Sequence, residues 1–478
     1  MAKIAFINPA QDAESIYGSL SAERSTLPPL GLCYLAGVMQ AGGHDVKIID
    51  APALGITNEE TVSSVLEWGA RYAGITSTTD TVFSAAKAAG LIKAKDKGVV
   101  TLLGGAHVTA MPEDTLRKFG SFDYGVIGEG ETTLKELIDA LEKDRHVGGI
   151  KGIVYRDGGN VILKDGRPFI EDLDSLPFPA WKMLPDISRF YRPFIGNYKR
   201  LPSASLVTSR GCPGRCAFCD TKVFGSKYRV HSAEYVLKMI RYLKENHGIK
   251  DICFYDDVFT VFKKRLSDIC EGLRKKDCSV AWSCMARVNT VDYEMMKMMK
   301  DAGCWKIGFG IESASDNILK LMNKNATTKQ AKKAVAEAKK AGLEVEGYFI
   351  LGFFGENRET LKETRDFIVK SELDMVLLSH FLPFPGSPAY AHLGKYGDFR
   401  EDWENMNAVD SDKPQFIPFG LKSEDLITAQ KNIYRDFYFR PRIFMTYLAK
   451  MLREPANAVK LMRASVNFSR FLFKNKAA

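Results

Sequence analysis

Three cysteines share one short loop, Gly211-Cys212-Pro213-Gly214-Arg215-Cys216-Ala217-Phe218-Cys219, in the spacing C-x3-C-x2-C. Thiolates are the usual ligands of iron–sulfur clusters, and three of them hold only three corners of a four-iron cluster, leaving the fourth iron open to a substrate or cofactor. That arrangement points to chemistry rather than electron storage. A closed zinc tetrahedron would need a further nitrogen or sulfur ligand, and no His lies within a few residues of the loop. A merely structural group of buried thiols needs neither such tight spacing nor the Gly and Pro residues beside it. The other six, Cys33, Cys253, Cys270, Cys278, Cys284 and Cys304, lie in apolar or helix-like stretches and read as small buried hydrophobes.

The elements that must position this loop come in two sets. The first 145 residues alternate strand and helix patterns, with apolar strands expected at 4–7, 46–49, 73–75, 99–103 and 124–127. Five parallel strands of this kind form a doubly wound sheet, which binds ligands beyond the carboxyl ends of its strands. Those ends carry Asn8-Pro9, Thr76-Ser77-Thr78-Thr79, Gly104-Gly105-Ala106-His107 and Gly128-Glu129-Gly130-Glu131, small or hydroxyl residues that let backbone amides approach a large ligand. A second set of six strand–helix repeats begins near Ser205, with strands expected at 205–208, 252–255, 280–284, 306–310, 345–351 and 375–381. Six repeats rather than eight give an open partial barrel, and the cysteine loop follows the first of them, at the end where parallel barrels collect their reacting groups. The other ends carry Asp256-Asp257, Arg287, Gly310-Ile311-Glu312-Ser313 and Gly352-Phe353-Phe354-Gly355-Glu356.

The cysteine spacing, with an aromatic residue before the last Cys, resembles the signature of the radical S-adenosylmethionine (SAM) enzymes. That resemblance implies a [4Fe–4S] cluster on Cys212, Cys216 and Cys219, with SAM chelated at the open iron and cleaved by one electron to a 5'-deoxyadenosyl radical. It implies Phe218 against the adenine, Arg287 at the SAM carboxylate, and Asp256 or Asp257 with Glu312 as acceptors for the ammonium or ribose. Gly310 and Ser313 flank Glu312, and the Gly352 loop would admit the adenine. An Asp between strand and helix is also a common helix N-cap, which is the competing reading of Asp257. The phrase Pro383-Phe384-Pro385-Gly386-Ser387-Pro388 after the sixth strand also fits this resemblance, which implies a substrate lying nearby.

Upstream, Pro28-Pro29-Leu30-Gly31-Leu32 and the Gly-Gly-x-His and Gly-x-Gly-Glu loops resemble the cobalamin-dependent branch of that family. The implied cobalamin-facing residues are Thr76, Ser77, Thr78, Thr79, Gly104, Gly105, His107, Gly128, Glu129 and Gly130. His107 itself reads as a packing or loop hydrogen-bonding residue. A D-x-H-x-x-G string at Asp144, His146 and Gly149 matches the motif that ligates cobalt through histidine, but it follows the fifth helix and reads as a chance match.

The expected organisation is a Rossmann-like cobalamin-binding domain over 1–147, a linker over 148–198 with a hairpin around Asp157-Gly158-Gly159-Asn160, a radical SAM core over 199–395 and a helical region over 396–478. With 478 residues, 45% of them hydrophobic and 26% charged, the chain has the composition of a large soluble enzyme. It shows neither a spanning apolar run nor a signal peptide, so a reducing, cytoplasmic setting is expected. From Lys431 onward there are eleven Lys or Arg against Asp436 and Glu454, a difference of +9 that equals the net charge of the whole chain. Such a basic, aromatic-rich segment either lies on an anionic lipid surface or caps the barrel with a solvated basic face. No nucleic-acid reader motif accompanies it. The resemblance implies alkylation of a poorly activated carbon in a small, hydrophobic substrate. In the similar methyltransferases one SAM methylates the cobalamin and a second supplies the radical, with electrons from a flavodoxin or ferredoxin. The competing readings are an anaerobic radical cyclase, like the one that acts on magnesium porphyrins, and a corrinoid carrier or sensor without catalysis.

Overall fold

The structure, a computed structural model, describes residues 1–11, 25–194, 196–404, 406, 414–453, 462, 466–469 and 471–472. Strands β1 (Lys3–Asn8), β2 (Asp45–Asp50), β3 (Tyr72–Thr76), β4 (Val100–Gly104) and β5 (Tyr124–Val126) pair in parallel in the order β2-β1-β3-β4-β5. Both faces are covered, as a parallel sheet requires. Along β1, Ile4 and Phe6 enter one apolar core with helices Leu30–Ala41 and Gly130–Leu141, while Ala5 and Ile7 enter another with Asn58–Glu67 and Val82–Lys95. The order reverses between β1 and β3, and at such a switch point a crevice opens beyond the strands' carboxyl ends.

The hairpin expected in the linker belongs to this sheet. β6 (Ile153–Asp157) pairs antiparallel with β5, and β7 (Asn160–Leu163) pairs with β6, making seven strands in all. Turn chemistry located the hairpin but carried no information about its partner. The aromatic stretch beyond it packs back on the same module, with the Tyr191 hydroxyl donating to Asp50 at 2.7 Å.

The second sheet is all parallel and open, in the order β15-β14-β13-β12-β11-β8. Its strands are β8 (Ser203–Leu206), β11 (Asp251–Phe254), β12 (Ala281–Ala286), β13 (Cys304–Glu312), β14 (Glu344–Leu351) and β15 (Met375–His380). A two-residue ribbon, β9 (Ser209–Arg210) with β10 (Arg229–Val230), clasps the base of the cysteine loop. The helices follow from sequence. Ala233–His247 starts at Ser232, whose side chain accepts from the Tyr235 amide, buries Val236, Met239, Ile240 and Leu243 on one stripe, and stops at the left-handed Gly248.

An open barrel leaves a strand edge whose amides and carbonyls need partners. Helix Ser423–Tyr438 covers the β15 edge with side chains. The Leu378 amide donates to the Tyr434 hydroxyl at 2.9 Å, Gln430 donates to the Leu378 carbonyl at 3.1 Å, and the Tyr438 hydroxyl donates to the Val376 carbonyl at 3.3 Å. This part of the basic segment is a cap. Helix Pro441–Arg453 follows it, and Phe439, Phe444 and Met445 are exposed there. The region expected to be helical also contains a small antiparallel pair, β16 (Gly397–Phe399) with β17 (Phe416–Pro418). No described helix is long and apolar enough to cross a membrane.

Candidate active site

The cysteine loop leaves β9 through Gly211, whose φ of +84° and lack of a side chain let it lie against the Lys227 carbonyl; a Cβ there would come within 2.3 Å of it. The loop is pinned by backbone. The Ala217 amide donates to the Met322 carbonyl and the Ala389 amide donates to that of Ala217, both at 2.8 Å, while Asn323 donates to the Arg215 carbonyl. Cys212, Cys216 and Cys219 are free thiols within electrostatic reach of one another. Cys219 is exposed at the surface of the loop, yet desolvation around its thiol, then Asp257 and the neighbouring thiols, pushes it up to about 12. Among the described residues no three His, Cys, Asp or Glu side chains converge as on a single ion. A cluster instead takes each thiolate on a different iron, so its ligands stand apart. Three thiols with no fourth Cys on the loop fit a cluster with one open iron.

Around the loop stand the ends of the other strands. Arg287, after β12, donates from Nη1 to Cys216 Sγ at 3.4 Å and also bonds the Lys324 carbonyl; a Cβ on Gly214 would lie 2.9 Å from that guanidinium. Glu312 ends β13 with φ of +71°, beside a register shift in the pairing with β14. A non-glycine residue in that region is held by its surroundings. Here the holder is Lys324, buried, with its Nζ 2.7 Å from Glu312 Oε1 and 5.7 Å from the centre of the Phe218 ring. Gly310 gives this pair its room, since a Cβ there would fall 2.5 Å from Glu312 Oε1. Phe218 meets the buried Phe353 edge to face at 6.3 Å. Gly352 adopts φ of +84°, and its amide donates to Glu356 Oε2 at 3.1 Å. Phe218, Arg287, Gly310 and Glu312 thus converge through one lysine. Ser313, fully buried, accepts from the Ser315 amide and shapes the turn instead.

The two aspartates separate. Asp256 is completely buried, accepting from the Thr208 amide and hydroxyl and from Ser209, so it braces the entry to the cysteine loop and is withdrawn from any ligand. Asp257 is open at its tip yet recessed, and that partial desolvation raises its carboxyl above the usual range. It faces Cys212 and Cys219. Nor is it a helix cap, because the next helix begins at Lys263 after Phe262.

In the N-terminal module, Gly105 (φ +105°) sits so close to Ser77 that a Cβ would be 2.4 Å from the Ser77 carbonyl. That closeness is to the chain itself, so a larger residue there would disturb the loop. Thr78 and Thr81 close a reciprocal cap over Thr79–Thr81, with the Thr78 amide donating to Thr81 Oγ1 at 3.0 Å. His107 Nδ1 lies 3.2 Å from Thr79 Oγ1, and its ring packs on Trp403 at 4.7 Å. Burial first, then Lys118, pushes His107 down to about 4. Two buried polar atoms at these strand ends, Ser77 Oγ and His107 Nε2, have no partner among the described residues. With Thr76, the open side of Gly104, and Gly128, they form a backbone-lined cradle that fits a large cofactor carrying its own hydrogen-bonding groups.

Glu129 is not part of that cradle. Its buried carboxylate takes Arg210 at 3.1 Å, Arg229 at 2.8 and 3.0 Å and the Ile170 amide at 2.7 Å, while Glu131 takes the other arm of Arg210 at 2.5 Å. It ties the β5 loop to the ribbon that carries the cysteines. The neighbouring Gly130 opens the helix that follows, packed against Leu35. His146 is exposed, a few residues past Glu142, which bonds Arg71 and Tyr72 at the start of β3, and so lies toward the amino ends of the sheet's central strands. It stands away from every strand carboxyl end.

The two crevices face each other. Leu382, just past β15, packs with Trp403, Met406, Phe83 and Met111, the last two beyond β3 and β4. Lys222 of the cysteine loop donates to the Ala110 carbonyl at 3.2 Å. A doubly wound module thus presents its ligand edge to a half-barrel with three thiols at its mouth, the architecture of a two-cofactor radical enzyme.

Comparison with known proteins agrees. A family model for the B12 binding domain matches residues 22–138, and one for the radical SAM superfamily matches residues 206–368. An uncharacterised methyltransferase of Pyrococcus horikoshii is 36% identical over 88% of this chain and 90% of its own length. The anaerobic magnesium-protoporphyrin IX monomethyl ester cyclase of Rubrivivax gelatinosus is 29% identical over 88% of this chain and 75% of that protein. Among solved structures, the cobalamin-dependent SAM radical enzyme OxsB superposes with a TM-score of 0.77 at 19% identity, covering 99% of this chain and 72% of that one. The methyltransferase TsrM from Kitasatospora setae gives 0.70 at 17% identity, over 92% and 90%. The chain belongs to the cobalamin-dependent radical SAM enzyme family.

Proposed function

We propose that this enzyme transfers a methyl group from SAM to a poorly activated carbon of a small, largely apolar molecule. The observation that carries the reading is the opposition of the two crevices, which brings the cysteine loop and the Gly104 cradle to one shared space. Bound together there, cobalamin supplies a transferable methyl group, and the cluster with SAM supplies a hydrogen-abstracting radical. Cys212, Cys216 and Cys219 hold the cluster. Arg287 neutralises the SAM carboxylate, and Glu312 and Asp257 accept from its ammonium and ribose, charge-assisted bonds of the stronger kind. Lys324 holds and aims Glu312 through their 2.7 Å contact, and Phe218 with Phe353 offers an apolar wall for the adenine. Thr76, Ser77, Thr78, Gly104, Gly105, His107 and Gly128 line the cobalamin side, where His107 and Ser77 have hydrogen-bonding capacity to spare. Trp403 and Leu382 exclude water between the modules.

The half-exposed Phe384, in the proline-rich phrase whose Gly386 abuts Asp220 of the cysteine loop, supports an apolar substrate. The naming of several relatives as methyltransferases, including the cytidylyl-2-hydroxyethylphosphonate methyltransferase of Streptomyces wedmorensis, supports methylation. The protein works in the cytoplasm with a flavodoxin or ferredoxin as reductant. Its exposed apolar residues after Tyr438, among basic ones, rest reversibly on anionic lipid. Methyl-labelled SAM tests the reaction: label in the product supports methyl transfer, whereas an oxidised, unlabelled product would favour the cyclase reading.

A further inference from the structure

Of the carboxylates gathered at the mouth of the half-barrel, Glu312 is held by Lys324, Glu129 by Arg210 and Arg229, and Asp256 by Thr208 and Ser209. Asp257 is assigned to SAM. Asp220, the residue after the third thiol, has neither partner nor role. Its Oδ1 accepts from the Lys222 amide at 2.9 Å, and no described side chain bonds either oxygen. The cation nearest to it in sequence, Lys222, donates instead to the Ala110 carbonyl at 3.2 Å. Asp220 is half-buried, so its carboxylate has lost part of its water while Oδ2 stays reachable. A carboxylate that loses water without gaining a donor is costly, and a bound donor relieves that cost.

The place of Asp220 is set by the loop opposite. Gly386, at φ of +93°, leaves room for it, since a Cβ there would fall 2.7 Å from Asp220 Oδ2. The turn before Gly386 is fixed by its own hydrogen bonds. The Phe384 amide donates to the Leu382 carbonyl at 2.9 Å, and the Ser387 amide and hydroxyl donate to the Phe384 carbonyl at 3.1 and 2.8 Å. That turn holds Phe384 40% exposed. Phe384 is two residues from Gly386, so their Cα atoms lie within about 7.6 Å of each other. The ring and the carboxylate are therefore neighbours on one wall. Both parts of the wall reach the N-terminal module at consecutive residues, Lys222 at Ala110 and Leu382 at Met111, so it borders the space between the two crevices.

We propose that Asp220 and Phe384 are the substrate-recognition wall and that the methyl acceptor is an apolar amine, its hydrocarbon part on Phe384 and its protonated amino group donating to Asp220 Oδ2. The proposal rests on the methyl-transfer reading above and names the class of molecule it acts on. An ammonium suits the site better than a hydroxyl, because its bond to a carboxylate is charge-assisted. The surroundings favour a cation as well, since Asp257 and Asp220 both act on the Cys219 thiol and a carboxylate-bearing molecule would meet two like charges there. Two anchors at a fixed separation orient the substrate carbon, which an apolar contact alone does not.

The test uses full-length protein loaded with cluster, cobalamin and SAM, left unreduced so that nothing turns over. The probes share one body: 3-phenylpropylamine, 3-phenylpropanol and 3-phenylpropionate. Binding is read by anaerobic calorimetry near neutral pH, where the amine is protonated. Wild type should prefer the amine to the propionate by on the order of tenfold or more, with the alcohol between. Asp220→Asn, close in shape, should lower amine affinity by about tenfold and bring the three probes together. Phe384→Ser should weaken all three alike. Iron content, SAM affinity and cobalamin affinity should match wild type in both variants. Wild type that binds none of the probes, or all of them equally, overturns the proposal, as does an Asp220→Asn protein that keeps the amine preference. Loss of SAM or cobalamin affinity in that variant also overturns it and assigns Asp220 to that cofactor, and loss of iron assigns it to the cluster loop. If dithionite-reduced wild type cleaves no SAM, the underlying functional reading fails instead.

Discussion

Replacing Glu129 by Ala should loosen the junction between the modules and leave cobalamin affinity alone. Its carboxylate is 4% exposed and carries two arginines and an amide. Without it, Arg210 retains Glu131, but Arg229 keeps only the carbonyls of Ile170 and Phe224. Breaking a buried ion pair by removing one partner costs about 3–5 kcal/mol, because the remaining charge is buried uncompensated. In a cooperative unit of roughly 200 residues, 1 kcal/mol moves the midpoint by about 2–4 °C, so Tm should fall by about 6–20 °C. Thermal unfolding of wild type, Glu129→Ala, Arg229→Ala and the double variant checks this. The double variant should lose less than the sum of the singles, since it removes the orphaned charge as well. Cobalamin titration well below the transition supplies the second readout. A Tm shift under about 2 °C, or cobalamin affinity lost at unchanged Tm, would refute the reasoning and return Glu129 to the cofactor.

Changing Cys212, Cys216 or Cys219 to Ala should abolish the iron absorbance while cobalamin binding persists. Glu312→Ala should keep the cluster but weaken SAM binding, read by equilibrium dialysis, and unchanged affinity would assign Glu312 to structure alone. Burial raises the Glu356 carboxyl from 4.5 to about 7 against the pull of its bonds to Thr360 and Gly352. Its folded value exceeds its unfolded one, so its contribution is full below pH 4.5 and is lost as pH climbs through 7. Glu356→Gln should flatten that decline in a Tm series, and parallel profiles for the two proteins would count against it. A chain ending after Phe439 keeps Gln430, Tyr434 and Tyr438 on β15, so it should stay folded and lose sedimentation with anionic liposomes at low salt. Equal partitioning of both chains would mean that the exposed Phe444 and Met445 touch no lipid.

The strands were readable because parallel strands buried on both faces must be short apolar runs, and β14 and β15 lie within a residue of their expected bounds. The thiol loop and the ends of the barrel strands were readable for the same reason: spacing and position along a strand are properties of sequence. Partnership was not. Lys324 lies twelve residues past Glu312 on an ordinary polar stretch, and only the turn through Glu312 brings the two together. Glu129 was grouped with the cradle because Gly-x-Gly-Glu after a strand suggests a ligand loop, yet its partners Arg210 and Arg229 lie some 80 and 100 residues away and carry no local signal. Asp256 and Asp257 are neighbours in sequence that point to opposite sides, one to Thr208 and the other to the thiols. His146 lies toward the opposite end of the strands from the cysteine loop, as expected from its place just after a helix that follows the fifth strand.

The most direct test of the account is SAM turnover by anaerobically reconstituted, dithionite-reduced protein, with 5'-deoxyadenosine and methionine measured by mass spectrometry and the reduced cluster followed by electron paramagnetic resonance. The account predicts a cluster signal that changes shape when SAM is added, 5'-deoxyadenosine formed in step with methionine, and loss of all three in the triple Cys212, Cys216 and Cys219→Ala protein. A triple variant that still forms 5'-deoxyadenosine, or an intact cluster whose signal ignores SAM, would contradict it.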